Sequence, residues 1–238
     1  MATFYAVGVG PGDPELLTRK AERVLRRADV ILAPVSRPGE ASVALDTVRE
    51  FLDETRQRIV VHQFPMTSDP ARLVPAWQEA AALIAAHVAG GRDVAFITIG
   101  DPLLYSTFIY LLRIFREVYP QIAVEIIPGI SSINTAAAAA GAPLAEADER
   151  IAIVPATAGM EKVVEALNAF DTVVLLKVKP LFGELLEVLG MMGRKIFHRG
   201  SLMYPLNIPA MTMSPCRILT SEPPPRPCGR SPSPWQSR

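Results

Sequence analysis

The fold turns on Thr3 to Leu17, TFYAVGVGPGDPELL, an apolar run that breaks into a glycine and proline turn and then starts a helix. Phe4 to Val9 is aromatic and β-branched, the composition of a strand buried on both faces of a parallel sheet. Gly8, Gly10 and Gly12 let the chain turn sharply and lie close to a ligand. Asp13 is placed to cap a helix with Pro14 at its first position, and Leu16, Leu17, Ala21, Val24, Leu25 and Ala28 recur every three or four residues. A strand, a glycine loop and a helix in that order predict a ligand-binding loop at the strand's carboxyl end.

The nearest alternative is a dinucleotide fingerprint. G-x-G-x-x-G needs a third glycine at position 13 when counted from Gly8, or at 15 when counted from Gly10, and Asp13 and Glu15 stand there. The second strand, Val30 to Ala33, runs into Pro34 and Val35 and offers no carboxylate for a ribose hydroxyl. The motif context therefore counts against a nicotinamide-dependent oxidoreductase. Taken alone, the loop is equally compatible with a turn that only joins a strand to a helix.

The same alternation continues down the chain. Ser42 to Leu52 reads as a short helix, Ile59 to Phe64 as a third strand, and Ala71 to Ala89 as a long helix stopped by Gly90-Gly91. Asp93 to Ile99, DVAFITI, is the fourth and most apolar strand and ends in Gly100-Asp101-Pro102, the second place where ligand contact is expected. Ser106 or Thr107 caps the next helix, Ala123 to Ile127 is a fifth strand closed by Pro128-Gly129, and Ser131-Ser132 opens a helix that Gly141 ends. Five strands alternating with helices predict a parallel five-stranded α/β sheet over residues 1–130, with its glycine loops along one edge.

Residues 131–200 read as a second, smaller α/β domain, incomplete at its C-terminus. Arg150 to Val154 and Thr172 to Val178 are its strands, and Met160 to Asn168 and Leu181 to Leu189 its helices. Residues 201–238 carry nine prolines between Pro205 and Pro234 and no period of either kind, so this tail is expected to be disordered. Its Pro, Arg and Ser content fits a natural extension or a high-GC gene read out of frame.

The chain has 238 residues, is 50% hydrophobic and carries 24 basic and 24 acidic side chains. Seven of the basic residues but a single acid, Glu222, lie from Arg194 onward, which leaves a mildly acidic body that argues against nucleic acid as a partner. Cys216 and Cys228 lack metal-site spacing, and His62, His87 and His198 are scattered, so neither a metal centre nor a disulfide framework is expected. No long uncharged apolar run suggests a membrane span, and a cytoplasmic protein is expected.

Three stretches together, VGVGPGDPELLTRKA at 7–21, IGDPLLYST at 99–107 and PGISS at 128–132, resemble the tetrapyrrole methylases. Tyr105-Ser106-Thr107 after GDP, FPMT at 64–67 and RPGEASVAL at 37–45 are similar to the branch that methylates precorrin-2 at carbon 20. The resemblance implies S-adenosylmethionine as methyl donor, the acidic tetrapyrrole precorrin-2 as substrate, and a homodimer of two-domain subunits. By residue match it implies donor contacts at Pro11, Gly100, Asp101, Leu104, Ser131, Ser132 and Lys177, with Tyr105 and Asp101 as candidates to take the proton that leaves the carbon. Alternatives are the cobalt-loaded substrate of the anaerobic route and an inactive cofactor-binding remnant, because the last fifth of the chain departs from the family pattern.

Overall fold

The computed structural model describes residues 2–191, 195–197 and 217–220, which fall into two compact α/β units divided between Thr135 and Ala136. That division lies inside a helix, five residues beyond the expected boundary at 130.

The first unit holds a five-stranded, all-parallel sheet in the order β3-β2-β4-β1-β5. Its strands are β1 (Phe4–Gly8), β2 (Val30–Val35), β3 (Arg58–Gln63), β4 (Val94–Thr98) and β5 (Val124–Ile127). Its helices are α1 (Arg19–Arg27), α2 (Val43–Val48), α3 (Pro70–Ala89), α4 (Phe108–Val118) and the start of α5 (Ser132–Ala140). Period-two geometry sorts the apolar strands into two cores. Tyr5, Val7, Ile31, Ala33, Ala95 and Ile97 pack with α1 and α2, while Phe4, Ala6, Val30, Leu32, Val94 and Phe96 pack with α3 and α4. In the second core Phe4 meets Phe115 with ring centroids 4.6 Å apart, and Phe96 lies between Phe64 and Phe108. Burying one such ring contributes about 1.5–3 kcal/mol.

Two local expectations are corrected. The helix expected to run without a break from Pro14 to Ala28 is divided into a 3-10 turn, Pro14–Leu16, capped by Asp13, and α1, capped by Thr18, whose hydroxyl accepts from Ala21 N–H at 3.2 Å. Leu17 is extended between them (φ −71°, ψ 132°), because each cap satisfies its own set of orphan amides. Strand β2 continues through Pro34 to Val35. Its pairing with β4 stops at Leu32, so on that side Pro34 is not required to donate to a ladder.

The second unit contains β6 (Ile151–Pro155), α6 (Met160–Ala169), β7 (Thr172–Leu176), α7 (Phe182–Met191), β8 (Lys195–Phe197) and β9 (Arg217–Thr220). Its sheet order is β6-β7-β9-β8, with β6 and β7 parallel and the β9 pairings antiparallel. Val163 and Leu167 of α6, Val173 and Leu175 of β7, and Leu185 and Leu189 of α7 form its core. β9 lies within residues 201–238, the segment expected to be mostly disordered. The other tail residues lie outside the described ones. Among the described residues no helix is long and apolar enough to cross a membrane.

Candidate functional site

The sheet order places β1 between β4 and β5, so the loops leaving these three strands are neighbours. The contact is close enough to exclude side chains. A Cβ on Gly129 would lie 2.1 Å from the Gly100 carbonyl oxygen and 2.8 Å from the Gly8 carbonyl carbon. One on Gly8 would lie 2.6 Å from both the Gly100 oxygen and the Gly129 nitrogen. Glycine is required for room at Gly8 and Gly129, whereas an added Cβ on Gly100 would meet nothing within 4 Å. Gly100 is called for by its positive φ of 71° instead.

Hydrogen bonds fix the three loops to one another. Val9 N–H donates to the Thr98 carbonyl at 2.9 Å and Gly100 N–H to the Gly10 carbonyl at 2.7 Å, which extends the β1–β4 contact beyond the strands. Asp101 joins the second loop to the third. Its Oδ1 accepts from Leu103 N–H at 2.8 Å and its Oδ2 from Gly129 N–H at 3.1 Å. The carboxylate thus acts as a clasp between the β4 and β5 loops, a bond sequence reading could not foresee across 28 residues. The Ser131 hydroxyl accepts from Ile133 N–H at 3.3 Å and opens α5.

Seven of the eight expected donor-contact and proton-acceptor residues therefore belong to the first unit. Pro11 and Gly100 are buried, Asp101, Leu104, Ser131 and Ser132 are partly exposed, and Tyr105 is 46% exposed. The eighth, Lys177, follows β7 in the second unit and is exposed. Tyr105 and Lys177 share a feature invisible in sequence: both hold positive φ, 52° and 55°. That region is a genuine outlier for bulky side chains, and such outliers gather at functional sites. Sequence reading also missed Thr98 as a partner of Ser106. Their hydroxyl oxygens are 3.0 Å apart in a buried pair, and Ser106 was expected only as a helix cap.

These groups are backbone amides, hydroxyls and one carboxylate, and among the described residues no cluster of His, Cys, Asp and Glu could hold a metal ion. The arrangement suits close backbone recognition of a small polar ligand. The α5 N-terminus can add amides for a carboxylate. A cavity of about 500 Å³ in the same unit lies elsewhere, at the amino ends of the strands, lined by residues such as Ala2, Ala85, Val88 and Ile122. It has no charged lining residue and is not part of this site.

Residues 3–196 match the family model of the Tetrapyrrole (Corrin/Porphyrin) Methylases. The chain belongs to that family. A cobalt-precorrin-2 C(20)-methyltransferase of Salmonella typhimurium is 39% identical over 190 residues, covering 80% of this chain and 78% of its own length. A probable cobalt-precorrin-2 C(20)-methyltransferase of Methanocaldococcus jannaschii is 41% identical over 177 residues, covering 74% and 73%. A precorrin-2 C(20)-methyltransferase of Sinorhizobium sp is 31% identical over 199 residues, covering 80% and 79%.

The fold is shared with solved family structures. A cobalt precorrin-4 methyltransferase superposes with a TM-score of 0.62 at 20% identity, covering 92% of this chain and 85% of that one. A uroporphyrin-III C-methyltransferase from Thermus thermophilus, complexed with S-adenyl homocysteine, superposes with a TM-score of 0.61 at 21% identity, covering 92% and 97%.

Proposed function

We propose that this tetrapyrrole methylase transfers a methyl group from S-adenosylmethionine to carbon 20 of precorrin-2, in cobalamin biosynthesis. The observation that carries the reading is the meeting of Gly8, Gly100 and Gly129, which brings all three loops of the family resemblance to one strand edge. The relatives named for this reaction, at 31–41% identity, support the choice of carbon and substrate.

S-adenosylmethionine supplies a methyl group already activated on sulfonium. What the chain must add is alignment, which can account for about 7–11 kcal/mol of a barrier. Gly100 and Leu104 offer backbone to the donor, Pro11 bounds it, and Ser131 and Ser132 present hydroxyls and helix-end amides to its carboxylate. Asp101 serves this alignment through its clasp on Gly129. Tyr105 Oη is the candidate to relay to water the proton that carbon 20 gives up. Lys177 is the candidate for a carboxylate of donor or substrate. A homodimer in the cytoplasm completes the reading.

The test is incubation with precorrin-2 and methyl-labelled S-adenosylmethionine, followed by mass analysis of the pigment. One labelled methyl at carbon 20 is expected. Absence of label from both precorrin-2 and its cobalt-loaded form, with folded protein, would overturn the proposal. Label confined to the cobalt-loaded form would reassign the substrate to the one named for the relatives at 39% and 41% identity.

A further inference from the structure

The loop between β4 and α4 is closed at its base by two buried hydroxyls. Thr98, the last residue of β4, and Ser106 are 8% and 7% exposed, with their oxygens 3.0 Å apart. The Ser106 hydroxyl also accepts from Phe108 N–H at 3.2 Å, so it ties the end of β4 to the first residue of α4. Residues 99–105, between the two hydroxyls, contain Gly100, Asp101, Leu104 and Tyr105.

The segment is fastened a second time through Asp101, whose carboxylate bonds Leu103 and Gly129 amides. Between these two fastenings Tyr105 sits at φ 52°. A left-handed backbone is strained for an aromatic residue and persists only where the surroundings over-determine it. Ser106 is the next residue along the chain, and a fixed Ser106 constrains the peptide that joins them. The donor-facing part of the loop has its own restraints, the Gly100 bond to Gly10 and the Asp101 bond to Gly129, which do not pass through Ser106.

We propose that Ser106 is a positioning residue for methyl transfer: its bond to Thr98 holds Tyr105 in the left-handed conformation that aims the phenol at the tetrapyrrole, without contributing to donor affinity. The proposal rests on the methyl-transfer reading above. Ser106 touches no substrate in this account and acts through Tyr105.

The test compares Ser106→Ala, Ser106→Thr, Thr98→Val and the double variant Thr98→Val/Ser106→Ala with the wild-type chain. Loss of one buried hydroxyl bond is expected to speed hydrogen exchange of the loop amides at 105–108 and to lower kcat, each by about tenfold. The dissociation constant for S-adenosylmethionine should change less than about twofold, because its loop contacts keep their own bonds. Ser106→Thr, which keeps the hydroxyl, should recover most of kcat, and the double variant should be no worse than the poorer single one.

Unchanged loop exchange in both Ser106→Ala and Thr98→Val would overturn the proposal. So would parallel loss of kcat and donor affinity, or additive losses in the double variant. If the wild-type chain transfers no methyl group, the proposed function fails, and the exchange comparison still decides whether Ser106 holds the loop.

Discussion

The loops after β5 and β6 look alike in sequence. In each a strand runs into proline, Pro128 or Pro155, and a glycine, Gly129 or Gly159, precedes a helix. The structure gives the two glycines different work. Gly129 has no positive φ but is enclosed, with the backbones of Gly8 and Gly100 where a side chain would go. Gly159 has nothing within 4 Å of an added Cβ but holds φ 101°, ψ 154°, a conformation essentially limited to glycine. One glycine keeps three loops together. The other lets the chain turn into α6.

Alanine at each position separates room from dihedral. Gly129→Ala must move the Gly100 and Gly8 backbones, and a displacement of about 1 Å at a reacting centre can cost about a hundredfold in rate. We expect at least that loss in methyl transfer, with S-adenosylmethionine binding by calorimetry reduced in parallel. Gly159→Ala should lower unfolding free energy by about 1–3 kcal/mol in denaturant titrations while retaining methyl transfer. Equal kinetic damage from both substitutions would end the distinction.

Asp101→Asn attacks the same crossing without adding volume. Whichever way the amide turns, its NH2 group replaces one of the oxygens that accept from Leu103 and Gly129 N–H, setting donor against donor. An unsatisfied amide costs about 1–3 kcal/mol, so donor binding should weaken by about ten- to a hundredfold. Calorimetry with S-adenosylhomocysteine reads this without catalysis. Unchanged affinity would show that the third loop holds its place without the clasp.

Much of this was legible in the residues, for stated reasons. DVAFITI and FYAVGV are so uniformly apolar that only strands covered on both faces can use them, and β4 and β1 are buried throughout. The break at Leu17 was not legible, because Leu16, Leu17 and Ala21 fit one continuous helical stripe as well as two capped pieces. Within the site, spacing exposed the glycines but not their purpose. That Gly129 abuts Gly8 and Gly100 follows from the strand order, with β1 between β4 and β5, which no local pattern encodes. Tyr105 gave no sign of positive φ, since only glycine announces that region by its type. The Thr98–Ser106 bond was hidden because a serine before an apolar helix is already explained as a cap.

A second contrast between the units lies in acid response. His87, on α3 of the first unit, is 5% exposed, and neither ring nitrogen has a hydrogen-bond partner among the described residues. Burial is the main force holding its pKa below the usual 6.5, with smaller contributions from the positive charges of Arg92 and Arg58. The folded chain therefore keeps this ring neutral at pH values where the unfolded chain protonates it. Above about pH 6.5 both states leave it neutral and it adds no pH dependence. As pH falls below that value the unfolded state takes up the extra proton, and stability declines until the folded-state pKa is passed. Described residues of the second unit include no histidine, so this response belongs to the first. Thermal melts between pH 7 and pH 5 should show the wild-type chain losing more stability than His87→Leu, which fills similar volume without a titrating ring. The difference should be the smallest of these effects, since it reflects one partly shifted group. Parallel melting curves for the two proteins would show that the ring is protonated equally in the folded and unfolded chains.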